Sequence, residues 1–167
     1  MSVGCPVGVL FVCTGNICRS PIAEGVFRTF VAQAGLVDRV VVDSAGTHDY
    51  QVGQPPDPRA LAAARRRGYE LPARRARKLA VDDFTRFDWI LAMDSHNLRE
   101  LQTLRPQAYG GHLSLFLELA RGIGAREVPD PYYGGAQEFE HVLDLVEEGA
   151  EALLAAIRKG IATSDTK

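Results

Sequence analysis

Apolar residues along this chain fall into two alternating rhythms. Short unbroken runs at Val7–Cys13, Arg39–Ser44 and Phe87–Met93, with a weaker one at His112–Phe116, predict strands buried on both faces. Between them the apolar positions recur at helical spacing. Ala23, Val26, Phe27, Phe30, Val31 and Ala34 predict a helix over Pro21–Gln33, ended by Gly35. Asp57 caps a second helix that opens on Pro58, runs to Arg67 and stops at Gly68. A third covers Asp94–Leu104 and is halted by Pro106. Phe139, Val142, Leu143, Val146, Leu153, Leu154 and Ile157 place the last helix over Gln137–Lys159. Gly46–Pro56 reads as a loop.

Strands alternating with helices predict an α/β fold, a parallel sheet covered on both faces. The chain has 167 residues, 46% of them hydrophobic, which fits one domain with a sizeable core. That core is expected over residues 7–160, with 1–6 and 161–167 as loose termini. In such sheets ligands bind beyond the C-terminal strand ends. Cys13 and Ser44 end predicted strands and Asp94 follows a third, so all three are expected at one edge.

Composition narrows the partners. The net charge of −2 gives no global attraction to nucleic acid or to an anionic membrane. The apolar stretch from Val3 to Cys13 follows no Lys or Arg, is broken by Pro6 and is too short to span a bilayer, so it reads as a loose end and a strand. Three cysteines, an odd number, suit a reducing, cytoplasmic setting better than a disulfide framework. Arg65, Arg66, Arg67, Arg74, Arg75, Arg77 and Lys78 form a basic stretch that reads first as a solvated helix end and loop. No aromatic residues beyond Tyr69 interleave it for base stacking.

The chemistry concentrates in Val12–Pro21, Val-Cys-Thr-Gly-Asn-Ile-Cys-Arg-Ser-Pro. A thiol at a strand end is followed by a tight loop and then by a helix start. Unpaired N–H groups and the positive end of the helix dipole make such a loop an anion nest. Gly15 is expected to supply positive φ, and Asn16 to tolerate it and brace its neighbours. Arg19 offers a planar fork for two phosphate oxygens. Ser20 is placed to cap the helix or to donate to Cys13, and Pro21 to open the helix at its first position. The same field favours thiolate over thiol, making Cys13 both binding floor and candidate nucleophile. A structural or metal-bound thiol is the competing reading, but no Cys/His set at zinc spacing accompanies it.

Asp130-Pro131-Tyr132-Tyr133-Gly134-Gly135 is the second segment. Cleaving a phosphate monoester needs a proton on the leaving oxygen, and an acid on a rigid turn can supply it. Tyr132 and Tyr133 can wall the pocket. Taken alone, the segment reads first as a common Asp-Pro turn with half-buried tyrosines.

Together the two segments resemble the low-molecular-weight protein tyrosine phosphatase family. So do Asp43–Thr47, Pro56–Ala60 and Phe87–Asp94, and the resemblance covers nearly the whole chain. It implies the strand order 2-1-3-4. It implies Cys13 as nucleophile, Arg19 as phosphate clamp and Asp130 as general acid, with no cofactor. Thr14, Gly15, Asn16, Ile17, Cys18 and Ser20 would cradle the phosphate, and Asn16, Ser20 and Ser44 would form the bracing network. Cys18 matches a second loop cysteine that can form a protective disulfide with the nucleophile. The implied partner is a tyrosine-phosphorylated protein and the product inorganic phosphate. Two positions depart from the pattern: Tyr50 where many members carry a rim Trp, and Arg74 where some carry a loop-supporting His. An arsenate reductase of the same fold is one alternative, but it needs further cysteines downstream and none follows Cys18. A non-catalytic phosphate-binding module is the other, and Asp130 would be idle in it. Asp94 reads as a helix cap, His48 as a surface histidine, and Asp43 and Glu24 as possible partners that sequence alone does not place.

Overall fold

In the computed structural model, residues 5–165 are described. The expected loose ends therefore lie partly outside the described residues, at 1–4 and 166–167. Strand β1 is Val7–Cys13, β2 Val40–Gly46, β3 Trp89–Ala92 and β4 His112–Leu115. All pair in parallel in the order β2-β1-β3-β4, as expected.

Helices α1 (Arg19–Gln33), α2 (Pro58–Arg66) and α5 (Ala136–Asp165) cover one face. The short α3 (Asp83–Arg86) and α4 (Ser95–Leu104) cover the other. Alternation along β1 feeds both cores. Val9 and Phe11 join the α1/α5 side, Leu10 and Val12 the α3/α4 side, and all four are fully buried. Phe11 packs edge-on against Phe27 and Phe116, at centroid distances of 5.9 and 5.1 Å. Truncating it to Ala is worth about 3–5 kcal/mol.

Several boundaries differ from the sequence reading. Helix α1 begins at Arg19, so Pro21 is its third residue rather than its first. Its missing N–H still falls in the first turn, where no intrahelical acceptor exists. β2 runs two residues past Ser44, pairing Ala45 and Gly46 with Val12 and Cys13. β3 starts only at Trp89, because Asp88 turns its carboxylate to accept from Gly8 N at 2.8 Å. Phe116 leaves β4 to open a 3-10 turn over Phe116–Leu119. The single turn α3 was not anticipated. Helix α5 continues to Asp165, so 161–165 is helix rather than a loose end.

Candidate active site

Four parallel strands end on one edge, and the loop after β1 closes over it. Gly46 at the end of β2 lies directly behind that loop. A Cβ there would come within 2.7 Å of the Thr14 carbonyl oxygen, so glycine allows the close approach. Thr47 N and His48 N donate to the carbonyls of Cys13 and Thr14, at 2.9 and 3.0 Å. β2 thus fixes the base of the loop.

Within the loop the left-handed residue is Asn16, with φ 59°, and not Gly15. Asparagine accepts this conformation more readily than most side chains. Its amide is fully engaged: Nδ2 donates to Ser20 Oγ (2.8 Å) and Ser44 Oγ (2.9 Å), and Oδ1 accepts from Arg77 N (3.0 Å). So held, Asn16 aims its own N–H at Cys13 Sγ, 3.3 Å away. Ser20 Oγ stands 3.0 Å from the same sulfur. With its oxygen already accepting from Asn16, the Ser20 hydroxyl has two acceptors in reach, Sγ at 3.0 Å and the Ala45 carbonyl at 3.5 Å. It does not cap α1, whose N-cap Cys18 makes no side-chain capping bond.

Behind this network Ser44 donates to Glu24 Oε1 at 2.7 Å. Glu24 is buried and faces Arg28 (3.1 Å) and Arg74 (3.4 Å). Burial pushes its carboxyl above the usual range, against the pull of Ser44 and the two arginines. Arg74 also pairs with Asp43, which Arg77 contacts from the other side at 3.1 Å. The position that departs from the family pattern therefore supports the loop by charge.

Arg19 is buried against the sulfur. Its Nη1 donates to Asp94 Oδ2 at 2.6 Å and to the Val128 carbonyl at 3.1 Å; Nη2 donates to Thr14 Oγ1 at 3.3 Å. Burial would ease the proton off the guanidinium, but Cys13 and Asp94 more than reverse this and hold it more firmly cationic. Asp94 also caps α4 through Asn97 N (2.8 Å), so it does more than the capping read from sequence. Asn97, which the sequence reading missed, is fully buried and donates to Thr14 Oγ1 at 3.0 Å.

Cys13, Thr14, Gly15, Ile17, Cys18, Arg19, Tyr50, Gln51, Asp130, Tyr132 and Tyr133 line one pocket of about 250 Å³. Asp130 is half-exposed on its wall, 3.7 Å from Arg19 Nη2. Tyr132 and Tyr133 meet edge-on at 4.9 Å, and Tyr50 and Tyr133 are largely exposed at the rim. His48 is half-buried and stacks between Tyr50 and His96. Cys18 is buried near Cys13, and burial, then the carboxylate of Asp57, pushes its thiol well up.

The chain is similar to known proteins. A family model for low molecular weight phosphotyrosine protein phosphatases matches residues 8–163. The chain belongs to that family. A low molecular weight protein-tyrosine-phosphatase of Streptomyces coelicolor is 44% identical over 156 residues, covering 92% of this chain and 94% of that one. The protein tyrosine phosphatase of Entamoeba histolytica, solved with Hepes in its active site, superposes with a TM-score of 0.89 at 38% identity, over 92% and 98% of the two chains. A Drosophila arginine phosphatase superposes at 0.84 with 31% identity, over 89% and 96%. Among the described residues no helix of this phosphatase is long and apolar enough to cross a membrane.

Proposed function

We propose that this chain hydrolyses phosphotyrosine in proteins through a cysteinyl-phosphate. One observation carries the reading. A single pocket holds a buried sulfur touched by the Asn16 N–H and near the Ser20 hydroxyl, a buried guanidinium, and a carboxyl group on the wall. The Cys13 thiolate attacks phosphorus in line with the ester bond. Arg19 and the loop N–H groups stabilise charge on the equatorial oxygens. Asp130 protonates the tyrosyl oxygen as the P–O bond breaks. The carboxylate so formed then draws a proton from water, which attacks the cysteinyl-phosphate and releases inorganic phosphate. A free sulfur nucleophile suits a reducing compartment, which supports the cytoplasmic assignment.

Pocket depth supports an aryl ester. Cys13 is only 3% exposed, so the phosphorus must reach it at the end of a long, flat group. The likeness to an arginine phosphatase raises phosphoarginine as a second substrate class. A guanidinium needs acceptors along its length; beside Thr14, Gln51 and Asp130 this pocket is lined by Ile17 and three tyrosine rings, apolar and aromatic faces that suit an aryl group. Peptides carrying phosphotyrosine or phosphoarginine test the choice, with kcat/KM expected to favour phosphotyrosine. Cys13→Ser abolishes turnover, and Asp130→Asn loses about 10²–10⁴-fold. Turnover undiminished in Cys13→Ser, or a preference for phosphoarginine, overturns the proposal.

A further inference from the structure

We propose that Arg59, on the first turn of α2, is a positioning residue for the general acid: it pins the loop that carries Asp130 to the rest of the molecule. The inference rests on Asp130 being the acid. Its own basis is the guanidinium's donor pattern. Nε and Nη2 donate to the Asp57 carboxylate at 3.1 and 2.9 Å, which fixes the plane of the fork. The outward N–H groups then reach the acid loop. Nη2 donates to the Tyr132 carbonyl at 2.9 Å and Nη1 to the Gly134 carbonyl at 3.3 Å. The same guanidinium lies 5.6 Å from the Tyr132 ring centroid and 4.9 Å from that of Phe139, at the start of α5.

Upstream, Val128 is tied in by its N–H to the Met93 carbonyl at 2.8 Å and by Arg19 on its own carbonyl at 3.1 Å, but from Asp130 to Gly134 the other hydrogen bonds are local. Tyr132 N donates to Asp130 Oδ1 at 3.1 Å and Gly134 N to the Pro131 carbonyl at 2.9 Å, which shape the turn without anchoring it. Asp130 itself is half-exposed. A carboxyl group that must protonate a leaving oxygen within hydrogen-bond reach needs its backbone held from outside. Arg59 provides that hold on the C-terminal side of Asp130, through the Tyr132 and Gly134 carbonyls. Asp57 holds Arg59 in turn: the Arg59 pairing, foremost, keeps the Asp57 carboxyl below its ordinary range. Asp57 also caps α2 through Arg59 N at 2.8 Å, so the acid loop is tied to a helix terminus through two side chains.

The role predicts a signature that a purely structural residue lacks. Asp130 also acts on water in the second step, which all substrates share, so the leaving-group signature is read in kcat/KM, which covers only formation of the cysteinyl-phosphate. Steady-state rates are measured for phenyl phosphate, a poor leaving group, and 2,4-dinitrophenyl phosphate, a good one, together with thermal midpoints. Arg59→Met is expected to lose on the order of tenfold in kcat/KM on phenyl phosphate and little in kcat/KM on the dinitrophenyl ester. Arg59→Lys recovers part of the loss, because one ammonium cannot serve Asp57 and both carbonyls. In an Asp130→Asn background Arg59→Met loses nothing further. Equal losses on both esters, or losses additive with Asp130→Asn, overturn the proposal. If Arg59→Met does not fold, the Arg59→Lys split between the esters decides it. Should Asp130→Asn itself show no leaving-group dependence, the acid assignment falls and this inference with it. If Asp130→Asn shows the dependence and Arg59→Met does not, the Arg59 inference fails alone.

Discussion

The Asp94 carboxylate serves two masters with two oxygens, and substitution can separate them. Oδ2 accepts from Arg19 Nη1 at 2.6 Å; Oδ1 accepts from Asn97 N at 2.8 Å and caps α4. Asp94→Asn keeps a good capping residue but leaves a single acceptor oxygen for the two donors. A capped α4 then leaves Arg19 without its short partner. Asp94→Ala removes both. A hydrogen bond to a charged group contributes about 1.5–3 kcal/mol, and Arg19 is only 2% exposed, so water does not replace it cheaply. If that energy serves to aim the guanidinium at the transition state, its loss is roughly 10–150-fold in kcat/KM for either variant.

Stability should distinguish them. Asp94→Ala also forfeits the cap, about 1 kcal/mol, or roughly 2–4 °C in Tm for a chain of this size. Steady-state hydrolysis of an aryl phosphate and a thermal melt are the two assays. Full activity in Asp94→Asn refutes the reasoning: the Val128 carbonyl and the Thr14 hydroxyl, at 3.1 and 3.3 Å, would then suffice to orient Arg19. Equal melting points for the two variants refute the capping half.

Two further outcomes follow from the titrating groups around the loop. Burial above all, with the Asp57 carboxylate next, raises the Cys18 thiol, so its reactive thiolate fraction grows as pH rises. After mild peroxide converts Cys13 to a sulfenic acid, closure of the Cys13–Cys18 disulfide, with loss of water, should therefore speed up with pH. Dithiothreitol-recoverable activity reads this, and Cys18→Ser should lose the recovery; recovery that ignores both pH and Cys18 removes the protective role. Arg74→Gln takes away a cation that restrains the burial-driven rise of Glu24. A raised carboxyl contributes stability below its unfolded pKa and loses it as pH rises through the folded one, so the variant should be weaker than wild type near pH 7 and approach it near about pH 4. Urea denaturation at both values checks this, and an equal deficit at the two would contradict it.

What could be read from the chain follows sequence distance. The proposed nucleophile, the proposed clamp and the bracing asparagine and serine lie within Cys13–Ser20, so a contiguous string with strand, loop and helix cues announces them. Even there the backbone surprised. Positive φ belongs to Asn16, because its side chain is anchored on three sides, a reward that Gly15 could not collect. The groups that aim this loop come from far along the chain and carry no local signature. Asp94 lies 75 residues from Arg19, Asn97 83 from Thr14, and Arg59 73 from the Tyr132 carbonyl it holds. Locally Asp94 and Asp57 look like ordinary caps and Arg59 like a solvated second helical residue. Asp94 and Arg59 each spend one polar atom on a local partner and another on a remote one that only the folded chain brings near, while Asp57 spends both oxygens on Arg59. A polar side chain with more donors or acceptors than its local duty uses is thus the place where a cap becomes part of the active site. Arg59 and Asp94 meet that condition in this chain.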